Sequence, residues 1–256
     1  MRMKFKTISL LTTVIIFFTL VCPAQNKLDK ALANPAGVTK LKIEYTPIAS
    51  LPSTIGKLKD LKTLYLFGNG LESLPSEIGE LKNLETLVVS SNGLKSLPPS
   101  IGQLSKLKKL SLKHNQLKSL PPEIGNLSEL KELYLEYNQL ETLPPEIGKL
   151  KKLEFLYLND NNLTSIPPEI GNMDNLRFLV IGKNSLKDLP EEIGKLERLT
   201  ELNVAFCGPM VRIPESIKNC KRLEYLYIDK SILLPFIINS INPRLQVILK
   251  DNGVLN

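Results

Sequence analysis

The chain has 256 residues, of which 43% are hydrophobic, and its 33 basic and 26 acidic side chains give a formal net charge of +7. Three of the basic residues lie in the first 24 positions, so the rest of the chain carries only +4, which gives no support for a nucleic-acid partner. One histidine and three cysteines provide no plausible set of zinc ligands, and the sequence contains no glycine-rich phosphate-binding motif.

The N-terminal segment has the features of a secretory signal peptide. Three basic residues precede an apolar stretch at 8–21, which is too short to span a bilayer comfortably. Cys22 and Ala24 occupy the −3 and −1 positions of a cut after Ala24. We therefore expect residues 1–24 to be removed and the protein to be exported. Two alternatives are a retained membrane anchor and attachment of a lipid at Cys22.

Residues 25–37 are expected to form an N-terminal cap. Within them, the stretch from Lys27 to Leu32 predicts a short amphipathic helix that ends near Asn34 and Pro35. Such a helix would cover the open end of the structure that follows.

A 23-residue repeat occupies the middle of the chain. Leu-Pro or Ile-Pro pairs recur at this interval from Leu51 to Pro190, each followed four residues after the proline by a glycine. An asparagine keeps the same interval and is found at Asn69, Asn92, Asn115, Asn138, Asn161 and Asn184. A fixed period of this length indicates stacked units that share one continuous core.

The sequence of each repeat predicts a strand, a turn and a short helical segment. In the second repeat, Leu64 and Leu66 alternate with outward-facing residues such as Tyr65, which predicts a strand with one buried face. Asn69 follows the strand, and its amide can satisfy backbone groups where the chain leaves the sheet. Stacked asparagines would then form a ladder of paired polar groups. Pro75 suits the first position of the helical segment.

The pattern L-x-x-L-x-L-x-x-N-x-L, followed by L-P-x-E-I-G-x-L, resembles the 23-residue class of leucine-rich repeat proteins. It is similar to the repeats of exported bacterial members and of Ras-pathway scaffolds. The resemblance implies an α/β solenoid with parallel strands on a concave face and short helical or 3₁₀ segments on a convex face. Eight full repeats and a partial ninth are assigned to residues 38–231. Residues 232–256 are expected to form a C-terminal cap with a closing strand at 245–249.

Aromatic residues gather at the outward positions of the predicted strands. A solvated aromatic patch reduces solubility, and rings of this kind are favoured anchors at protein interfaces. They can also pack laterally along a sheet, and the two interpretations are compatible. The candidate partner-binding residues are Tyr65, Phe67, Tyr134, Tyr137, Phe155, Tyr157, Phe178, Phe206, Tyr225 and Tyr227.

The charges in the middle of this face are expected to pair with one another. The repeat places Lys109 beside Glu132 and Lys113 beside Glu136, one strand spacing apart. Internal pairing would leave these four groups largely satisfied. The alternative is that they orient a partner on the aromatic surface.

The sequence predicts neither catalytic residues nor a cofactor or metal. His114, the only histidine, lies at the exit of a strand, and the recurrent glutamates fall one per repeat on the convex side. Cys207 and Cys220 occupy core positions and are expected to be buried free thiols.

The sequence therefore predicts an exported, monomeric, non-enzymatic module that binds a protein partner. Two other functions are kept as alternatives. One is an intracellular signalling scaffold like the Ras-pathway relatives, and the other is an adhesin whose rings stack on carbohydrate.

Overall fold

A computed structural model describes residues 23–48, 50–236, 238 and 241–251. The predicted signal peptide, apart from its last two residues, lies outside the described residues, as does Cys22. Positions 252–256 of the predicted C-terminal cap also lie outside them. Within the described ranges, no helix is long and apolar enough to cross a membrane.

Ten parallel strands form one open sheet in which spatial order follows sequence order. This confirms the predicted solenoid. One helix, α1 (Pro23–Ala33), precedes the sheet. The strands are β1 (Lys40–Lys42), β2 (Thr63–Tyr65), β3 (Thr86–Val88), β4 (Lys109–Ser111), β5 (Glu132–Tyr134), β6 (Phe155–Tyr157), β7 (Phe178–Val180), β8 (Glu201–Asn203), β9 (Tyr225–Ile228) and β10 (Gln246–Leu249).

Short 3₁₀ turns lie opposite the sheet. Pro75 precedes its turn and is extended (φ −69°, ψ 152°), so it leads the chain into the turn and is not its first residue as predicted. In repeats with two prolines the second one, such as Pro122, takes the first position, where its missing N–H is harmless. The turns span Ser53–Lys57, Ser76–Glu80, Pro99–Gln103, Pro122–Asn126, Pro145–Lys149, Pro168–Asn172, Glu191–Lys195 and Glu215–Asn219.

One continuous leucine-rich core runs the length of the solenoid. The second repeat contributes five side chains with no exposed surface: Leu64 in β2, Leu66 directly after it, Leu71 in the loop that follows, Ile78 in the 3₁₀ turn and Leu81 directly after the turn. Each such side chain contributes about 1.5–3 kcal/mol when it is fully buried. Because every repeat presents this set at the same phase, each coil covers the open side of the coil before it.

The asparagines form a regular network between coils. The Nδ2 group of Asn138 donates to the carbonyl oxygens of Leu112 and Leu135 at 3.0 Å each, and its Oδ1 accepts from the backbone N–H of Leu117 at 3.1 Å. In all six asparagine repeats the amide donates to the carbonyl 26 residues earlier. Each asparagine therefore joins its own turn to the preceding coil.

The N-terminal end is covered by α1, which begins four residues earlier than the helix predicted from Lys27. Leu28 of this helix is fully buried. The first repeat has Thr46 at the asparagine position, and its backbone N–H donates to Oδ1 of Asn69 at 3.0 Å. The next repeat shows the same bond, from the backbone N–H of Asn69 to Oδ1 of Asn92 at 3.0 Å, so the loss of the first asparagine does not interrupt this step of the network.

The C-terminal coils depart from the repeat. Cys207 occupies the asparagine position, and the backbone N–H of Leu186 donates to the Cys207 carbonyl oxygen at 2.5 Å, where earlier repeats use an amide oxygen. Cys207 and Cys220 are buried and free, as expected. The closing strand predicted at 245–249 is present as β10, which pairs with β9 in parallel register.

Candidate protein-binding face

The concave face consists of the outward side chains of β1 to β10. Leu64 and Leu66 point into the core. Tyr65 and Phe67, which alternate with them along the chain, are half-buried on the concave side of the sheet. The same alternation recurs in later repeats because their strands are in register. Eight predicted aromatic site residues lie half-buried here, namely Tyr65, Phe67, Tyr134, Phe155, Tyr157, Phe178, Tyr225 and Tyr227.

The other two predicted site residues lie on the rim of the face. Tyr137 and Phe206 follow their strands in left-handed backbone conformations, with φ of 57° and 60°. Tyr45, which precedes Thr46 in the first repeat, has the same geometry and is 77% exposed. Ser91, His114, Asp160 and Lys183 repeat this conformation at the same phase, so it belongs to the turn of the fold.

Aromatic rings pair across neighbouring strands at the centre of the face. Tyr134 stacks on Tyr157 with centroids 5.2 Å apart and planes 10° apart. Phe155 stacks on Phe178 at 4.8 Å and 14°. Pairs of this kind contribute about 0.5–1.5 kcal/mol beyond the burial of their area. Lateral packing is therefore one role of these rings, and their outer edges remain accessible.

The predicted charge pairs are confirmed beside this aromatic cluster. Lys109 Nζ lies 2.6 Å from Glu132 Oε2, and Lys113 Nζ lies 2.7 Å from Glu136 Oε1. The Tyr134 hydroxyl also donates to Glu132 at 2.9 Å. Although burial acts to raise it, the hydrogen bonds from Lys109 and Tyr134 hold the pKa of Glu132 below its ordinary value.

The same lysines lie over the ring of Tyr134. Lys109 Nζ is 4.8 Å and Lys113 Nζ is 4.5 Å from the ring centroid, within the range of a cation–π contact. Burial raises the pKa of Tyr134, and so does the Glu132 carboxylate, which accepts a hydrogen bond from the Tyr134 hydroxyl. This hydroxyl therefore stays protonated and acts as a hydrogen-bond donor at neutral pH.

A groove of about 560 Å³ lies over the sheet on the C-terminal side of these pairs. Tyr157, Val180 and Phe206 form its apolar lining, and Glu136 and Glu201 supply carboxylates. A larger cavity of about 640 Å³ lies near Glu191 and Phe236, away from the concave sheet. The groove lies on the face that carries the aromatic pairs and is lined by Tyr157 of one pair, so we take it as the centre of the candidate site.

Sequence reasoning missed Glu201, Val180 and Lys250 as parts of this groove. Glu201 and Val180 could have been found, because they lie one repeat after Phe178 and Tyr157. Lys250 follows β10, where the repeat phase is lost, so spacing alone could not place it.

His114 and the two described cysteines, Cys207 and Cys220, are poorly placed for nucleophilic catalysis. His114 is stacked on Tyr137, with centroids 4.2 Å and planes 6° apart, and its ring makes no hydrogen bond to the described residues. Burial raises the pKa of the Cys207 and Cys220 thiols to about 12, so both stay protonated and unreactive.

A family model described as a leucine-rich repeat region matches residues 39–114, 66–133 and 99–179, and a second leucine-rich repeat model matches 151–208. Together they cover more than half of the chain.

This protein belongs to the leucine-rich repeat family. A solved leucine-rich repeat protein of Leptospira interrogans is 30% identical, with a TM-score of 0.67, and the match covers 87% of this chain and 75% of that one. No curated protein sequence matches the chain. Members of this family are typically modules for protein–protein interaction and are generally not enzymes.

Plant receptors are also similar to this leucine-rich repeat protein. The peptide hormone receptor RGFR1 in complex with RGF2 is 31% identical (TM-score 0.63), with 83% of this chain and 40% of that chain covered. The GASSHO1/SCHENGEN3 ectodomain of Arabidopsis thaliana, in complex with CASPARIAN STRIP INTEGRITY FACTOR 2, is 26% identical (TM-score 0.67), with 83% and 26% covered. The chain thus spans less than half of either receptor.

Proposed function

We propose that this protein is a non-enzymatic recognition module that binds a protein or peptide segment along the concave face. The observation that carries the proposal is the gathering of half-buried rings on an open sheet, beside a groove that Tyr157 and the rim residues Tyr137 and Phe206 line. Tyr134, Phe155, Tyr157, Phe178 and Tyr227 are the leading anchors. Large, rigid side chains of this type dominate binding energy at protein interfaces. The two plant receptors provide support, because their structures hold bound peptide partners.

Protein recognition is favoured over carbohydrate binding by the orientation of the rings. Stacking on a sugar requires a free ring face. One face of Tyr134 is taken by Tyr157, and the lysines that approach its ring come from the neighbouring β4 repeat. Phe155 and Phe178 likewise cover each other. The edges that remain suit side-chain packing and hydrogen bonding from a polypeptide.

A triple variant tests the binding face. Peptides are selected from a random dodecapeptide library on the wild-type protein, and their affinities are then measured on Tyr134→Ala/Tyr157→Ala/Phe178→Ala. We expect capture to be lost while the circular dichroism spectrum is kept. Phe236→Ala is the control, since this ring is fully exposed outside the concave face. Retention of every peptide by a folded triple variant would reject the concave face as the binding site.

We also propose that the protein is exported, with cleavage after Ala24 as the main route and acylation of Cys22 as the alternative. The charged start, the short apolar stretch and the small residues before the cut support this. Mass spectrometry of the natural protein separates the routes. A mature N-terminus at Gln25 supports soluble export, a lipid-modified Cys22 supports anchoring, and an intact Met1 supports an intracellular scaffold.

A further inference from the structure

Glu201 lies among aromatic rings at the C-terminal end of the concave face. Its register partners on the adjacent strands are Phe178 on β7 and Tyr225 on β9, each one strand spacing away, which is about 4.8 Å. The charge of Glu201 also acts on two more tyrosines. Burial and, in addition, this carboxylate raise the pKa of both Tyr157 and Tyr227. The Glu201 carboxylate is thus flanked by two aromatic side chains in register, and its charge acts on the hydroxyl groups of two more.

This carboxylate has no hydrogen bond or ion pair with any residue that the structure describes. On β5, by contrast, Glu132 is paired with Lys109 and Tyr134. Lys250 acts on Glu201 electrostatically without forming an ion pair with it, and its Nζ lies 4.7 Å from the centroid of the Tyr227 ring. A half-buried charge without a partner is unfavourable in the free protein and is available to a ligand of opposite charge.

A second carboxylate of the same groove has spare acceptor capacity. Glu136 is only 5% exposed, and one of its oxygens pairs with Lys113. The other oxygen, Oε2, is buried without a hydrogen-bond partner among the described residues. Glu136 and Glu201 line the same groove, so unsatisfied negative charge is concentrated where the rings are.

We propose that this groove receives a basic side chain, arginine in preference to lysine, from the bound polypeptide, with Glu201 as its counter-ion. The inference rests on the proposed function and names the chemistry of the partner. Cations are attracted both to carboxylates and to the faces of aromatic rings. A planar guanidinium can stack on a ring while it donates two hydrogen bonds to one carboxylate, which an ammonium cannot do. Lys250, which lines the groove, already lies over a ring of this face, that of Tyr227.

The test uses the dodecapeptides that bind the wild type and lose binding on Tyr134→Ala/Tyr157→Ala/Phe178→Ala. We expect these face-dependent peptides to share one arginine or lysine position. Glu201→Gln should weaken them about tenfold, because it removes the charge and keeps the shape. Glu197→Gln, on an exposed turn of the same coil, is the matched control and should leave affinity unchanged.

Two further measurements separate direct pairing from an indirect effect. Replacing the shared arginine of a peptide by citrulline should weaken binding to the wild type about tenfold, and should weaken binding to Glu201→Gln much less. Lys250→Met should strengthen binding several-fold, because it removes a competing cation from the rings around Glu201.

The failures of the two proposals are distinguishable. Face-dependent peptides without a shared basic residue, or equal affinities for Glu201→Gln and Glu197→Gln, would overturn the assignment of Glu201 and leave the concave face as the binding site. If the library yields no peptide that depends on the aromatic face, the proposed function is rejected, and the assignment of Glu201 falls with it.

Discussion

Tyr134 and Tyr157 are stacked across β5 and β6, with ring centroids 5.2 Å apart and planes 10° apart. Their strands are paired in register, so consecutive repeats bring equivalent positions side by side. The contact therefore joins two coils on the solvent side of the sheet, as the leucines join them on the core side. The proposed binding surface therefore also contributes to the cohesion of the solenoid.

The first prediction concerns this stack. In a double-mutant cycle with Tyr134→Leu and Tyr157→Leu, the coupling free energy should be about 0.5–1.5 kcal/mol. Urea unfolding followed by circular dichroism measures it. Tyr65 and Tyr227 lie on the same face seven strands apart, so the corresponding cycle for that pair should give no coupling. A value near zero for Tyr134 and Tyr157 would contradict the stacked arrangement.

The second prediction concerns the asparagine network. Asn138→Ala removes the amide whose oxygen accepts from the N–H of Leu117, so this N–H loses its partner. The carbonyl oxygens of Leu112 and Leu135 lose one donor each but still accept from Asn115 and Asn161. We expect a loss of about 1–3 kcal/mol in the free energy of unfolding. Asn126→Ala, on an exposed 3₁₀ turn, is the control and should change stability by less than about 0.5 kcal/mol. Similar effects of the two substitutions would show that the network is not a stabilising element.

The third prediction concerns the glycine that recurs after each Leu-Pro pair. A Cβ atom at Gly79 would lie 2.5 Å from the carbonyl oxygen of Ser100 in the next coil, which forces the coils apart. Gly79→Ala should destabilise the protein by about 1–3 kcal/mol in thermal or urea unfolding. At Gly93 the nearest atom would be 3.6 Å away, so Gly93→Ala should be tolerated. Equal stabilities for the two variants would argue against close packing of the 3₁₀ turns.

The fourth prediction concerns the pH dependence of stability. Burial raises the pKa of Glu201 above its ordinary value, an effect that Lys250 partly opposes. The native state therefore binds this proton more tightly than the unfolded state does. The resulting stabilisation is complete below the unfolded-state pKa and is lost as pH rises through the higher native-state value.

Glu201→Gln should accordingly be more stable than the wild type at pH 7, by less than about 1 kcal/mol because the group is partly exposed. The difference should disappear near pH 4, where Glu201 is protonated in the wild type. Urea unfolding of both proteins across this range measures it, with Glu197→Gln as the control. Destabilisation by Glu201→Gln at pH 7 would show that the carboxylate has a stabilising partner in the free protein.

Much of the candidate site follows from spacing along the chain. The 23-residue interval places Lys109 beside Glu132 and Tyr134 beside Tyr157 without any coordinates, and the structure has these neighbours in register. The tilt of the rings, however, depends on side-chain rotamers and on the lysines around Tyr134. Spacing specifies which residues are neighbours and leaves their orientation open.

Spacing is informative only where the period holds. The interval between Glu201 and its partner Tyr225 is 24 residues, and Lys250 reaches the Tyr227 ring from a strand beyond the last regular repeat. At the other end, α1 begins at Pro23, earlier than the predicted start at Lys27, because the helical pattern alone does not mark the first turn. The positions of these residues do not follow from the repeat period and are known only from the way the coils pack in the structure.

The sequence by itself determined the parallel solenoid, its leucine core, its asparagine positions and the face on which the aromatic residues lie, because a strict repeat imposes the same local geometry on every coil. The spacing also predicted that Glu132 and Glu136 pair with lysines, whereas only the tertiary structure decided that Glu201 has no hydrogen bond or ion pair with a described residue. That difference depends on which long side chains reach across from neighbouring strands, and distances between side-chain ends are set by packing in three dimensions.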